Sequence, residues 1–333
     1  PSDLRRVTRH EPCPICGKAT WCLTGPRRTL CMRQESRWPA KSGGGHWHFP
    51  NGVVPLRADD APPAPTIRSD SALADADRRD SAYRALLRHP DLQLRSRHRD
   101  DLTGRGLDAE AIRRNGYGTL PPGQRSQAVR DVADRMDLSG VPGVYRKRTG
   151  TAEYLALAGS PGLVVPVRDH EGRIRAWQVR PDDRGDGGKY RWVSSNGMEG
   201  GVGSGAPLHW TQAGDPDGPL WITEGPLKGD TAAFLSGHRF LCFAGAHTGQ
   251  AKCLVAELQA IRWPADRPLV LAIDADRATN QAVARAFEAI GRALTEAGYT
   301  VLVATWAGPN GIDDALAEGV AIATEANVWL PDV

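Results

Sequence analysis

The sequence predicts an α/β multidomain protein: a small cysteine-bearing N-terminal module, a mixed α+β middle, and a C-terminal Rossmann-like parallel sheet with flanking helices. Three observations carry this. Four of the six cysteines fall within nineteen residues, "CPICGKATWCLTGPRRTLC". A proline-rich stretch of mixed charge, "PLRADDAPPAPTIRSDS", follows and reads as a stiff, solvated linker. The last third alternates short apolar runs with an amphipathic pattern, as strand, helix and strand do in a parallel sheet. The expected boundaries are 1–54 for the cysteine module, 55–74 for the linker, 75–216 for the middle and 217–333 for the last domain.

With 333 residues, 40% of them hydrophobic, the chain can bury at least one full core. Its longest apolar runs are strand-sized and it opens with "PSDLRRVTRH", so neither a membrane span nor a secretory segment is expected, and the cytoplasm is the expected compartment. The missing initiator Met fits a processed end, a removed tag or a piece of a longer protein. The net charge of +3 hides an asymmetry: residues 1–57 carry ten Lys/Arg against three Asp/Glu, while residues 217–333 carry eight against fourteen. A basic front and an acidic back fit a protein that holds a polyanion at one end and cations at the other, or two solvated faces of opposite bias. No internal repeat is present.

Cys13 and Cys16 form a C-x2-C knuckle in which Pro14 and Gly17 favour the tight turn that aims both sulfurs at one point. Between Cys22 and Cys31 the chain reads as a hairpin turning at Gly25-Pro26-Arg27-Arg28, which sets those two cysteines opposite each other. Four thiolates at this spacing suit a structural, tetrahedral Zn²⁺ and make this module a zinc ribbon. His48 is an alternative to Cys22 as fourth ligand. Cys242 and Cys253 lack a ligand pattern and read as core thiols.

From Asp75 to about Arg135 the pattern is helical, with Tyr83, Leu86 and Leu87 on one face. "GLVVPVRD", "GRIRAWQVRP" and "KYRWVSS" then read as a small β-meander. Arg168, Arg173, Arg175, Arg180, Lys189 and Arg191 fall on it, a basic track for a single nucleic-acid strand or a solvated face. Trp177 and Trp192 could stack on bases, with core packing as the alternative.

In the last block "PLWIT", "PLVLAI" and "YTVLVATW" are buried strands, and residues 278–298 form a helix that turns Val283, Phe287, Ile290 and Leu294 inward and stops at Gly298. "LWITEGPLKGD" delivers Glu224 at the end of its strand, with Gly225 for a sharp turn and Pro226 to start a helix. "LVLAIDADRATN" ends its strand in Asp274 and Asp276, which point the same way. Paired carboxylates repel, and a bound Mg²⁺ or Mn²⁺ relieves that cost. "GPNGIDDALAEG" adds Asp313 and Asp314, as further ligands or as charges at a helix N-terminus.

The order Glu-Gly, Asp-x-Asp, Gly-Ile-Asp-Asp resembles the TOPRIM domain shared by DnaG-type primases, topoisomerases and several nucleases. "LTGRGLDAEAIRRNGYGTLP", "LVVPVRDHEGRIRAWQVR" and "KYRWVSS" are similar to the catalytic core of DnaG-type primases, so the modules follow the primase order: zinc ribbon, linker, primase-like core, TOPRIM. The resemblance implies a DNA primase that makes short primers on single-stranded DNA from nucleoside triphosphates, with a replicative or element-encoded helicase as partner. Glu224, Asp274 and Asp276 would be its catalytic, magnesium-binding acids, with Asp313 or Asp314 as a further ligand, and Arg168, Arg180, Lys189 and Arg191 would meet template or nucleotide phosphate. The pattern usually has another acid where this chain has Lys228, which would contact phosphate or pair with Asp230. Such departures suggest a phage, plasmid or mobile-element branch. A TOPRIM nuclease and a non-catalytic zinc-ribbon DNA-binding adaptor are the alternatives.

Overall fold

Of the four clustered cysteines, Cys31 ends a short antiparallel strand and Cys22 immediately precedes another. The computed structural model describes residues 4–26, 28–36, 38, 40, 45–49, 72–150, 152–185, 188–245, 248–275 and 280–326, and its backbone falls into two units, Pro1–Arg68 with Asp183–Lys189, and Ser69–Asp182 with Tyr190–Val333. In the first unit, β1 (Arg5–Arg6), β2 (Leu23–Thr24), β3 (Thr29–Cys31) and β4 (His46–His48) form one antiparallel sheet in that order. The Gly25 amide donates to the Arg28 carbonyl and closes the turn, and Leu23 pairs with Leu30. One further step of that register sets Cys22 across from Cys31, as the hairpin reading expects. Most of the linker lies outside the described residues.

The second unit opens with α1 (Ala76–Arg88), α2 (Ser96–Gly104) and α3 (Ala109–Asn115). Aspartates start two of these helices: Asp75 accepts from the Arg78 amide and Asp108 from the Ala111 amide, satisfying otherwise orphaned N–H groups. Gly116, at φ +63°, ends α3 in the left-handed region. Next come β5 (Gly118–Leu120), α4 (Arg125–Ala133), the hairpin β6 (Val144–Thr149) and β7 (Ala152–Leu157), then β8 (Gly162–Arg168), β9 (Ile174–Pro181) and β10 (Arg191–Trp192). The last three are the expected meander. β5 adds a fourth strand beside β8, inside a stretch whose sequence reads as helical. Trp177 is a core residue, fully buried against Tyr83 with ring centroids 4.7 Å apart.

The rest is one six-stranded sheet. It contains β11 (His209–Trp210), β12 (Asp215–Glu224), α5 (Pro226–Ser236), β13 (His238–Phe243), α6 (Gln250–Ala260), β14 (Leu269–Leu271), α7 (Gln281–Glu296), β15 (Val301–Thr305), α8 (Ile312–Ala317) and β16 (Ala323–Ala326). The strand order is β11-β13-β12-β14-β15-β16, with four parallel inner strands and an antiparallel strand at each edge. The sheet therefore begins at His209, ahead of the expected start at residue 217. Alternation along β12 sends Leu220 and Ile222 into the layer of Leu254, Phe287, Ile290 and Leu294, and Trp221 into the layer of Ala232, Ala233 and Ile312. α7 buries the face its sequence predicts, and Gly298 at φ +90° follows it.

The chain runs from β12 outward to β13 and then returns to the other side of β12 for β14. Strand order thus reverses between β12 and β14, and in open parallel sheets the crevice beyond the carboxyl ends at that point collects ligands. Among the described residues, no helix is long and apolar enough to cross a membrane.

Candidate functional site

The four cysteine sulfurs of the first unit all lie within 4.8 Å of one another. Gly17, at φ +68°, closes the knuckle by donating its amide to the Cys13 carbonyl. Cys16 and Cys22 Sγ are 3.8 Å apart, which is about the edge of a tetrahedron with metal–sulfur bonds of roughly 2.3 Å. Amides of Met32 and Gln34 donate to Cys22 and Cys31 Sγ, an arrangement that steadies thiolate charge. Burial opposes ionisation of Cys16, but the Lys18 amide and neighbouring thiols outweigh it and bring this thiol down to about 7. Burial pushes Cys22 up to about 12. These residues fit a structural zinc. His48 is engaged elsewhere, its Nε2 lying 3.0 Å from the Gln34 carbonyl, and His46 Nδ1 faces Ser36, so Cys22 completes the set.

At the crevice of the second unit, Glu224 ends β12 and Asp274 follows β14. The pairing of Ile222 with Leu271 brings these two strand ends level. Gly225, at φ +94°, makes the sharp turn and Pro226 starts α5, whose first turn carries Lys228. The Lys228 ammonium pairs with Asp274 Oδ1, not with Asp230, and Asn310 Nδ2 donates to Asp274 Oδ2 at 3.2 Å. Asp313 and Asp314 open α8, with Asp313 buried and Asp314 exposed. Asp276 lies outside the described residues. Among the described residues the four cysteines are the only set of three or more acid, thiol or histidine groups gathered this closely, so no three rim carboxylates converge as those thiols do.

A polar cleft of about 330 Å³ adjoins this rim, lined by Asp101, Gly104 and Arg105 beside Thr231, Asp313 and Asp314. Asp313 Oδ1, Thr231 Oγ1 and Arg105 Nε are buried there without a hydrogen-bond partner among the described residues. Burial pushes the Asp313 carboxyl up, Asp314 reinforces this, and Lys228 and Arg105 oppose it. Arg105 lies 3.6 Å from Asp101 Oδ2 and 3.9 Å from Asp313 Oδ2, so Asp313 Oδ1 is the oxygen of that carboxylate left to a hard cation. Arg105 and Thr231 escaped the sequence reading, although Arg105 stands in its Arg-Gly-Leu turn.

The meander cations do not form the expected open track. Arg168 is only 3% exposed, and its backbone amide donates to His209 Nδ1 at 3.0 Å. Since Nδ1 accepts, Nε2 carries the proton and donates to Asp230 Oδ1 at 3.1 Å. Tyr117 donates to Asp230 Oδ2 at 2.7 Å and accepts from Asn115 Nδ2. Burial lowers Arg168, and the Asp230 charge partly offsets it. The Arg168 backbone therefore ties into a buried polar network that joins α3, β8, β11 and α5, while its guanidinium Nη1 is buried without a hydrogen-bond partner among the described residues. Arg173 and Arg175 both hold Asp169, Arg180 pairs with Asp101, and Arg191 donates to Ser160 Oγ. Asp169 and Asp101 neutralise these cations from a turn and a helix that strand alternation does not reveal. Exposed Lys189 belongs to the first unit, and half-buried Trp192 ends β10.

Residues 209–322 match the model of a domain of unknown function, DUF3854. No curated protein matches the chain. Among solved structures, the zinc-binding and RNA polymerase domains of the Aquifex aeolicus primase are similar at 16% identity and a TM-score of 0.51, over 74% of this chain and 60% of that one. The fold is primase-like. The RNA polymerase domain of Mycobacterium tuberculosis primase DnaG is similar at 16% identity and a TM-score of 0.51, over 73% of this chain and 82% of that one. The same domain in complex with a double-stranded DNA oligomer with a 6-nucleotide overhang gives 15% identity and a TM-score of 0.50, over 74% and 78%. The primase-like fold thus spans about three quarters of this chain, while the chain spans 60% of the Aquifex chain.

Proposed function

We propose that this chain is a DNA primase, a nucleotidyltransferase that makes short primers on single-stranded DNA from nucleoside triphosphates. The observation that carries the reading is the rim itself: Glu224 and Asp274 end neighbouring parallel strands at the point of order reversal, and buried Asp313 opens the helix after the next strand. In this reading residues 1–54 are a zinc ribbon that holds nucleic acid, 55–74 a linker, 75–216 the primase core and 217–333 a TOPRIM domain, whose sheet takes its edge strand β11 from the end of the core. Glu224, Asp274, Asp276, Asp313 and Asp314 would hold Mg²⁺ or Mn²⁺. A bound ion supplies Lewis-acid charge neutralisation at the reacting phosphate. Arg105 and Lys228 set positive charge beside the acids, where a polyanionic triphosphate needs it. Arg168, Arg180, Lys189 and Arg191 would meet template or nucleotide phosphate in this reading, Arg180 only by giving up its pairing with Asp101. A replicative or element-encoded helicase partner, a cytoplasmic setting and a mobile-element origin belong to the same proposal.

The test is primer synthesis on varied single-stranded templates with Mg²⁺ or Mn²⁺ and labelled nucleotides of both sugars. Short oligomers are expected, and Asp274→Ala should reduce them at least a hundredfold, the order of one lost electrostatic contact in a transition state. Metal-dependent cutting without nucleotides would instead mark a nuclease. The Lys228–Asp274 ion pair favours a second reading, a zinc-ribbon DNA-binding adaptor whose acids hold no ion. Its mark would be salt-sensitive DNA binding that Asp274→Ala leaves unchanged, with no product on any template.

A further inference from the structure

Lys228 stands between two acids of the rim. It pairs with Asp274 on one side, and on the other its charge acts on Asp313. A Cβ built on Gly311 would touch both the Lys228 stem and the Asp313 carboxylate, so these groups share one small space. Both Asp274 oxygens already face donors, Lys228 Nζ and Asn310 Nδ2. Asp313, 6% exposed, faces Arg105 at 3.9 Å through Oδ2, while its Oδ1 is buried and unpartnered among the described residues, on the cleft that Asp314 also lines.

We infer that Lys228 is a built-in cation of this rim: it serves Asp274 and leaves room for a single divalent ion, taken on the Asp313 and Asp314 side. The inference rests on reading the rim as a metal site. Its physical ground is charge. A second divalent ion at Asp274 would have to displace the ammonium or sit against it, and like charges at that range repel strongly where water is partly excluded. Gly311, lacking a side chain, leaves room for the lysine stem to pass on its way to Asp274.

The test counts bound Mn²⁺ on the full, zinc-loaded chain by the loss of the free-ion resonance signal. Zinc content and melting temperature confirm that each variant is folded. Wild type should take one Mn²⁺, and Asp313→Asn should weaken that binding at least tenfold. Lys228→Met and Lys228→Glu should each admit a second ion, the glutamate more tightly. Two ions in wild type, or one ion in all Lys228 variants at unchanged affinity, would overturn the inference while leaving the metal site in place. No Mn²⁺ on wild type or any variant would remove the metal reading itself.

Discussion

Asp313 is held at a cost to the fold. Burial lifts its pKa above the ordinary 3.8, and a raised carboxyl pKa contributes stability that is complete below the unfolded value and lost as pH rises through the folded one. Above the unfolded value the raised pKa is therefore a load on the fold, of the kind that accompanies functional sites. Asp313→Asn should raise the melting temperature at pH 7 by a few degrees, and the gain should vanish on acidification below about 3.8, as a pH series of thermal melts would show. The buried network behaves in the opposite sense. Asp230 accepts from His209 and Tyr117 and is the charge nearest to balancing buried Arg168. Asp230→Ala strands that guanidinium and should cost about 3 kcal/mol in urea denaturation.

At the scale of elements, α5 couples the sheet to the rim through a close approach. A Cβ at Gly229 would collide with Cys242 Sγ on β13, so only glycine lets this helix lie so near the strand that it shields. Gly229→Ala should destabilise the fold by about 1–3 kcal/mol, measured by chemical denaturation. This position is invisible in the sequence, where Gly229 is just one small residue between Lys228 and Asp230. What the sequence does reveal is local: the Cys13–Cys16 knuckle, the apolar face of α7, and the Gly225-Pro226 turn are each written within a few consecutive residues. What it conceals is long-range pairing. β11 and β16 are too short to announce themselves, and β13 and α6 need the sheet around them to be recognised. The partners of the meander arginines, Asp101 and Asp169, come from a helix and a turn, so a run of basic residues that reads as a track folds into ion pairs. Arg105 reaches the acidic cleft from the turn that follows α2, far from Asp313 in sequence.

For the molecule as a whole, the two units rely on different sources of order. Among its described residues the first has a small buried cluster of Val7, Cys13, Cys22 and Cys31, little apolar surface to hold a fold, so a zinc ion on the four thiols would make metal binding and folding one event there. Chelation of zinc should abolish the β-structure of that unit, seen as loss of amide protection across residues 4–26 and 28–36, while the sheet from His209 to Ala326 stays protected against exchange. Zinc on those thiols would also govern the redox chemistry of the chain. All six cysteines are unpaired, yet four converge on the metal site and Cys242 is fully buried with its thiol pushed well up. Cys253, on the outer side of α6, is exposed. A maleimide dye added to zinc-loaded protein should therefore attach at this one side chain, giving a fluorescent reporter on the α/β sheet's covering layer without engineering any other position.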